Sequence, residues 1–315
     1  MLIPITQGIV VPCSVGNLVG IKPTVGLTSR SLVIPLSEHQ DSVGPIARTV
    51  TDAAQILSII AGKDTFDNYT LAQPFEQPPD YTQALNLSAF QNARIGIPRN
   101  GMERVENAVR QPALDTFEAA IRLIQEAGAT VVDNTNFSAW DEYFMDNKKQ
   151  MGSKNVVLGA DFVSGLSKYL SQLTFNPHNI TSLAEEITFT RNFPAEDYPA
   201  RDTSTWDSAL DLGFNNSDYR FWESYQHRLH FGGEGGVTGA LEKYNLDALV
   251  MPTDFSSGLP AVAGLPIITV PLGFYPADYP VYKTTDGLVI VGPNIPLVIS
   301  RSSLCFNTDD ILVMV

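Results

Sequence analysis

Residues 8–30 read GIVVPCSVGNLVGIKPTVGLTSR. Glycine stands at 8, 16, 20 and 26, and proline at 12 and 23. Glycine permits backbone that other residues resist and lets chain or ligand approach closely. Proline fixes φ and removes a donor. Interleaved with Ile, Val and Leu and poor in charge, these residues predict a tightly turned, buried backbone. Neither a plain strand nor a plain helix is expected there.

Pro12-Cys13-Ser14 is followed by Gly20-Ile21-Lys22-Pro23-Thr24-Val25-Gly26, then by Val33-Ile34-Pro35 and Asp41-Ser42-Val43-Gly44-Pro45. Ala47-Arg48-Thr49-Val50-Thr51-Asp52-Ala53 completes the series. In this order and spacing the motifs resemble the end of the amidase signature of serine amidohydrolases, the Ser–cis-Ser–Lys type. A second landmark agrees. Leu246 to Pro252 and Ala261 to Gly273 (AVAGLPIITVPLG) resemble the strands that lie beside the signature strands in that family. The resemblance runs from Gly8 to about Ser300 and is tight at both ends. It implies an α/β fold, with a mixed central β-sheet covered by α-helices, and the C-terminal portion of the family's domain. Residues 1–315 are read as a single partial amidase domain. Residues 8–62 end the signature core, 63–245 form a helical and irregular middle region, and 246–300 complete the sheet.

The resemblance also implies a chemistry. In the family, a neutral lysine takes a proton through a bridging serine, and the nucleophilic serine attacks an amide carbonyl. Counting back four residues from Pro12 puts that nucleophile on Gly8, which has no side chain. The backbone positions of the oxyanion hole carry over to Ile5, Thr6, Gln7 and Gly8. The family's glycines before the nucleophile fall on Thr6 and Gln7, which would be strained wherever φ must be positive. The bridging serine and the lysine lie N-terminal of the matched segment, so this chain reads as a truncated member lacking them. Ser14, six residues on, and Lys22 are the substitutes at hand, and both read as framework residues. Asp41 and Arg48 are expected to pair beside the site.

Three functions compete. The chain is an inactive amidase relative, an active amidase whose start is wrongly assigned, or a non-catalytic protein keeping the family pocket. The implied partner is a small-molecule amide, with no cofactor and no metal. Exposed apolar surface would make the isolated chain prone to aggregate.

The rest of the chain is read from its pattern. Residues 49–61 predict a helix capped by Thr49 and closed by Gly62. Residues 64–89, rich in Pro, Asp, Asn and Gln, predict a surface loop. A strand at 93–98, an amphipathic helix at 111–127 and a strand at 129–132 predict a parallel pair with a crossover helix. Further helices are expected at 156–173 and 182–190. The aromatic stripe Tyr219, Phe221, Trp222, Tyr225 and Phe231 reads as core packing, with substrate contact as the alternative. The run Gly232 to Gly236 lacks a phosphate loop's context and reads as a connection. His227 and His230 have no third ligand at metal spacing.

Twenty basic against 34 acidic residues give a net charge of −14, which disfavours nucleic acid and anionic membrane as partners. Two cysteines, Cys13 and Cys305, make no disulfide framework. No apolar run is long enough to span a bilayer. Sequons at Asn68, Asn86, Asn136, Asn179 and Asn215 are glycan acceptors only in a secretory route. Compartment and oligomeric state stay open.

Overall fold

The computed structural model of the chain describes residues 6–86, 88–103, 111–143, 145, 155–253, 258–283 and 289–302. The opening stretch divides in two. Thr6–Gly16 forms helix α1 and Val19–Lys22 forms strand β1, with Asn17 turning between them at φ 53°. A regular helix therefore replaces the irregular turn expected there. α1 buries Ile9, Val10 and Cys13 and turns Val11 and Val15 outward. That spacing is one side of a 3.6-residue period; apolar residues on every side concealed it. Pro12 lies inside α1. It has no N–H, so the carbonyl four residues back, that of Gly8, loses its helical donor. Gly8 is exposed, so water can reach that carbonyl.

Eight further strands follow: β2 (Ile46–Ala47), β3 (Arg94–Ile97), β4 (Thr130–Asp133), β5 (Ala248–Pro252), β6 (Ile267–Phe274), β7 (Tyr282–Lys283), β8 (Val289–Val291) and β9 (Pro296–Ser302). The main sheet runs β2–β1–β6–β9–β5–β3–β4, and β7 and β8 form a separate ribbon. β3 lies parallel to β4 and β5, while the β1–β2, β1–β6, β6–β9 and β5–β9 pairs are antiparallel. The sheet is thus mixed, and β6 sits beside β1 as the resemblance implied.

The two faces of β1 take different partners. Val19 and Ile21 pack on Ala53, Ala54 and Leu57 of α2 (Val50–Ile60). Thr49 caps α2, its side chain accepting from the Asp52 amide at 3.0 Å. On the other face α1 crosses directly over Gly20. A Cβ there would stand 2.5 Å from Cys13 Sγ, so the close approach requires glycine.

After the short α3 (Asn100–Glu103), α4 (Gln111–Glu126) connects β3 to β4 and buries Phe117, Ala120, Ile121 and Ile124. The parallel crossover is the one its sequence predicted. The middle region supplies α5 (Val156–Ser171), α6 (Leu183–Asn192), α7 (Ser204–Leu210), α8 (Tyr219–Gly232) and α9 (Val237–Tyr244). The glycine-rich run links α8 to α9. The short α10 (Gly258–Val262) precedes β6. Residues 64–89 are more than a surface loop. They hold two 3-10 turns, at Asn68–Ala72 and Tyr81–Ala84, and Tyr81 packs buried on α2. Among the described residues no helix is long and apolar enough to cross a membrane.

Candidate functional site

Gly8 lies in the first turn of α1. The first amides of a helix have no carbonyl to bond within it. The N–H groups of Thr6, Gln7 and Gly8 therefore point along the axis at the positive end of the helix dipole. No acidic side chain occupies that turn. Thr6 and Gln7 have right-handed helical backbone, so the strain expected of them is not there. Ile5 lies outside the described residues. A Cβ built on Gly8 meets nothing within 4 Å, so packing does not demand glycine there. The turn offers amide donors, and Gly8 contributes no side chain to it.

Ser14 is half-buried on α1. Cys13 beside it is a buried free thiol, and burial pushes its pKa up to about 11, against thiolate formation. Lys22 ends β1 fully buried. Its Nζ donates to the carbonyls of Pro23 and Leu265, each at 3.0 Å. Burial pushes its pKa down to about 7, with the charge of Asp41 opposing. These two carbonyls hold the amine in place at the end of the strand. Lys22 thus ties the end of β1 to the loop before β6, a framework role.

Asp41 does not pair with Arg48 as expected. Arg48 is exposed, whereas Asp41 is buried and accepts from the amides of Leu36, at 2.9 Å, and Ser37, at 3.1 Å. Burial pushes the Asp41 pKa up to about 6, against those amide bonds and Arg30.

A cavity of about 280 Å³ opens between the 30–41 loop, the turn at 66–68 and α5. Its charged lining is Arg30, Glu38, Asp41, Asp67, Asp161 and Lys168. Arg30 is held by both carboxylate oxygens of Asp67 at 2.8 Å and lies 4.5 Å from the Tyr69 ring centroid. Such a forked pair fixes the guanidinium plane. Asp161, buried on α5, accepts from Ser37 Oγ at 2.5 Å and from Asn216 Nδ2 at 2.9 Å, and it pairs with His39 Nδ1 at 2.9 Å. No sequence pattern announced this hub, because its partners lie 122 and 124 residues away along the chain on the 37–39 side.

The aromatic stripe splits. Phe221 and Phe231 are fully buried core, while Tyr219 and Trp222 are exposed. Phe221, Trp222 and Tyr225 surround the His39 ring, with Tyr225 nearest at 4.4 Å between centroids. None of the five lines the cavity. His227 and His230 each meet one glutamate, Glu142 and Glu234. Ligating atoms of Glu38, His39 and Asp161 lie within 4.8 Å of one another. A cation there would have to displace the donors that already satisfy Asp161, so the cluster reads as a closed polar core.

The sequence profile of the family described as Amidase matches residues 6–260. An amidase-family protein of Arthroderma benhamiae is 46% identical over 289 residues, spanning 92% of this chain and 48% of that protein. One from Schizosaccharomyces pombe is 32% identical, over 85% of this chain and 50% of that protein. The native peptide amidase of Stenotrophomonas maltophilia superposes with a TM-score of 0.77 at 26% identity, over 97% of this chain and 58% of that one. The chain spans about half the length of the curated relatives it matches.

Proposed function

The chain belongs to the amidase family, and from that premise we propose that it keeps the scaffold of an amide hydrolase without its nucleophile and does not itself cleave amides. One observation carries the reading. Gly8, onto which the motif spacing from Pro12 carries the family's nucleophilic serine, sits solvent-exposed in the first turn of α1 with no side chain. An acyl-enzyme needs an oxygen that bonds the carbonyl carbon and a base that takes its proton. Gly8 supplies neither. Lys22 is not a replacement base, since both of its carbonyl partners hold the amine inside the sheet.

What remains is a row of amides at a helix start, the positions onto which the resemblance carries the family's oxyanion hole. Such donors polarise a carbonyl, and alone they leave a residual rate far below that of a complete site. A second reading, a small-molecule binder that has lost hydrolysis, is favoured by the cavity between α5 and the 30–41 loop.

The test is ammonia release from a panel of aliphatic and aryl amides, run on the chain and on Gly8→Ser. The expected result is no turnover by either. Turnover by the unaltered chain would sink the proposal. Turnover by Gly8→Ser alone would show that a base is present after all, and that only the hydroxyl was missing.

A further inference from the structure

The five sequons are not used by any amide chemistry, and the folded chain sorts them. There are 18 asparagines and 45 serines and threonines in 315 residues. Random placement of so short a motif would give about two or three matches, and five are present. We infer that Asn86, Asn179 and Asn215 are N-glycosylated, and that Asn68 and Asn136 are not.

The transfer has simple requirements. The side-chain amide nitrogen attacks the anomeric carbon of a lipid-linked oligosaccharyl diphosphate. The new C–N bond forms as the C–O bond to the diphosphate breaks. The diphosphate leaves with the electron pair, and the amide proton passes to a base of the transferring enzyme. The hydroxyl two residues on must be able to approach the acceptor amide. The product must also fold with a large polar glycan outside the core, so folded geometry filters the sites that a chain can carry.

Three sites pass. Asn86 is exposed, and its Oδ1 accepts from both the amide and the hydroxyl of Ser88, at 3.0 and 2.8 Å. The bonds of this turn bring acceptor and hydroxyl together at an exposed position. Asn215 makes the same turn with the Ser217 amide at 3.0 Å and is likewise exposed. Asn179 is exposed at a left-handed φ of 52°, and its hydroxyl partner Thr181 meets only Glu185 at the surface. All three lie outside the regular helices and strands.

Two sites fail, each for its own reason. Thr70 of the first sequon is fully buried, its hydroxyl donating to the carbonyls of Asp64 and Asp67. Asn68 also lines the cavity, so a glycan there would lie across its mouth. Asn136 is half-buried between Thr135 and Phe137, which are both buried, so a glycan there would press on the core.

The experiment uses the protein isolated from its own cells. Peptide-N-glycosidase in heavy-oxygen water converts each glycosylated asparagine to labelled aspartate, which peptide mass spectrometry locates. Label is expected at positions 86, 179 and 215 and at neither 68 nor 136. Ser88→Ala, Thr181→Ala and Ser217→Ala should each remove one of three electrophoretic mass steps, and Ser88→Thr should restore its step. Unlabelled asparagine at the three exposed sites, or label at Asn136 or Asn68, would refute the inference.

Discussion

Replacing Lys22 by methionine should abolish a pH dependence of stability that the structure builds into the end of β1. The amine is fully buried and its pKa falls from 10.5 to about 7. In the unfolded chain it stays protonated up to its ordinary value. Between pH 7 and 10.5 the unfolded state therefore binds more protons, and stability must rise with pH. The slope approaches ~1.4 kcal/mol per pH unit for one group. Cys13 acts in the opposite sense from about pH 8.5 upward, because burial raises its thiol and the folded state then holds the extra proton. The clean window is thus about pH 7 to 8.5, worth roughly 2 kcal/mol. Below pH 6 the raised Asp41 and the depressed Asp67 and Asp133 oppose one another, so the basic side is the better place to look. Stability at a single pH does not decide the matter. Methionine removes a deprotonation cost of roughly 5 kcal/mol at pH 7, but strands two buried carbonyls at about 1–3 kcal/mol each. The difference in slope does decide it. Urea denaturation at pH 7, 7.5, 8 and 8.5 should show stability climbing in the parent and about 2 kcal/mol less climb in Lys22→Met. Equal slopes in the two proteins would mean that Lys22 is charged in the fold, and the argument from burial would be wrong.

Gly8→Ala should raise stability by about 0.5–1 kcal/mol, since glycine is a poor helix residue and the Cβ direction there is open; a lower melting temperature would show that α1 is not helical at Gly8. Gly44→Ala should behave oppositely. Its Cβ would stand 2.0 Å from the Ile21 carbonyl oxygen, and overpacking of this kind costs about 1–3 kcal/mol, read as a lower urea midpoint. Asp161→Ala should cost about 3 kcal/mol by leaving Ser37, His39 and Asn216 without their acceptor, and Asp161→Asn should recover part of it; a neutral Asp161→Ala would show that the hub holds nothing together.

How much was legible depends on how local each signal is. The Thr49 cap, the α4 face and the β3–α4–β4 crossover each rest on residues within one turn or one short unit, and the sequence pattern exposes them. α1 was hidden for the reverse reason. Gly8 and Pro12 read as breakers, and Val11 and Val15 made the outer face as apolar as the inner one. The single backbone bond that Pro12 removes falls on Gly8, an exposed residue, so the cost to the helix is small. The motif series placed Lys22 as framework, but its two carbonyl partners come from Pro23 and from Leu265, 243 residues away. The missing Asp41–Arg48 pair has a similar cause. The Leu36 and Ser37 amides satisfy Asp41 from inside its own loop, which composition cannot reveal.

In the proposed inactive enzyme no hydroxyl stands where the acyl group must bond. The most direct measurement is intact-mass and peptide mapping of the chain after treatment with a fluorophosphonate. Unmodified protein is expected at every serine. A stoichiometric adduct on any serine would contradict it and identify the nucleophile that Gly8 was held to have replaced.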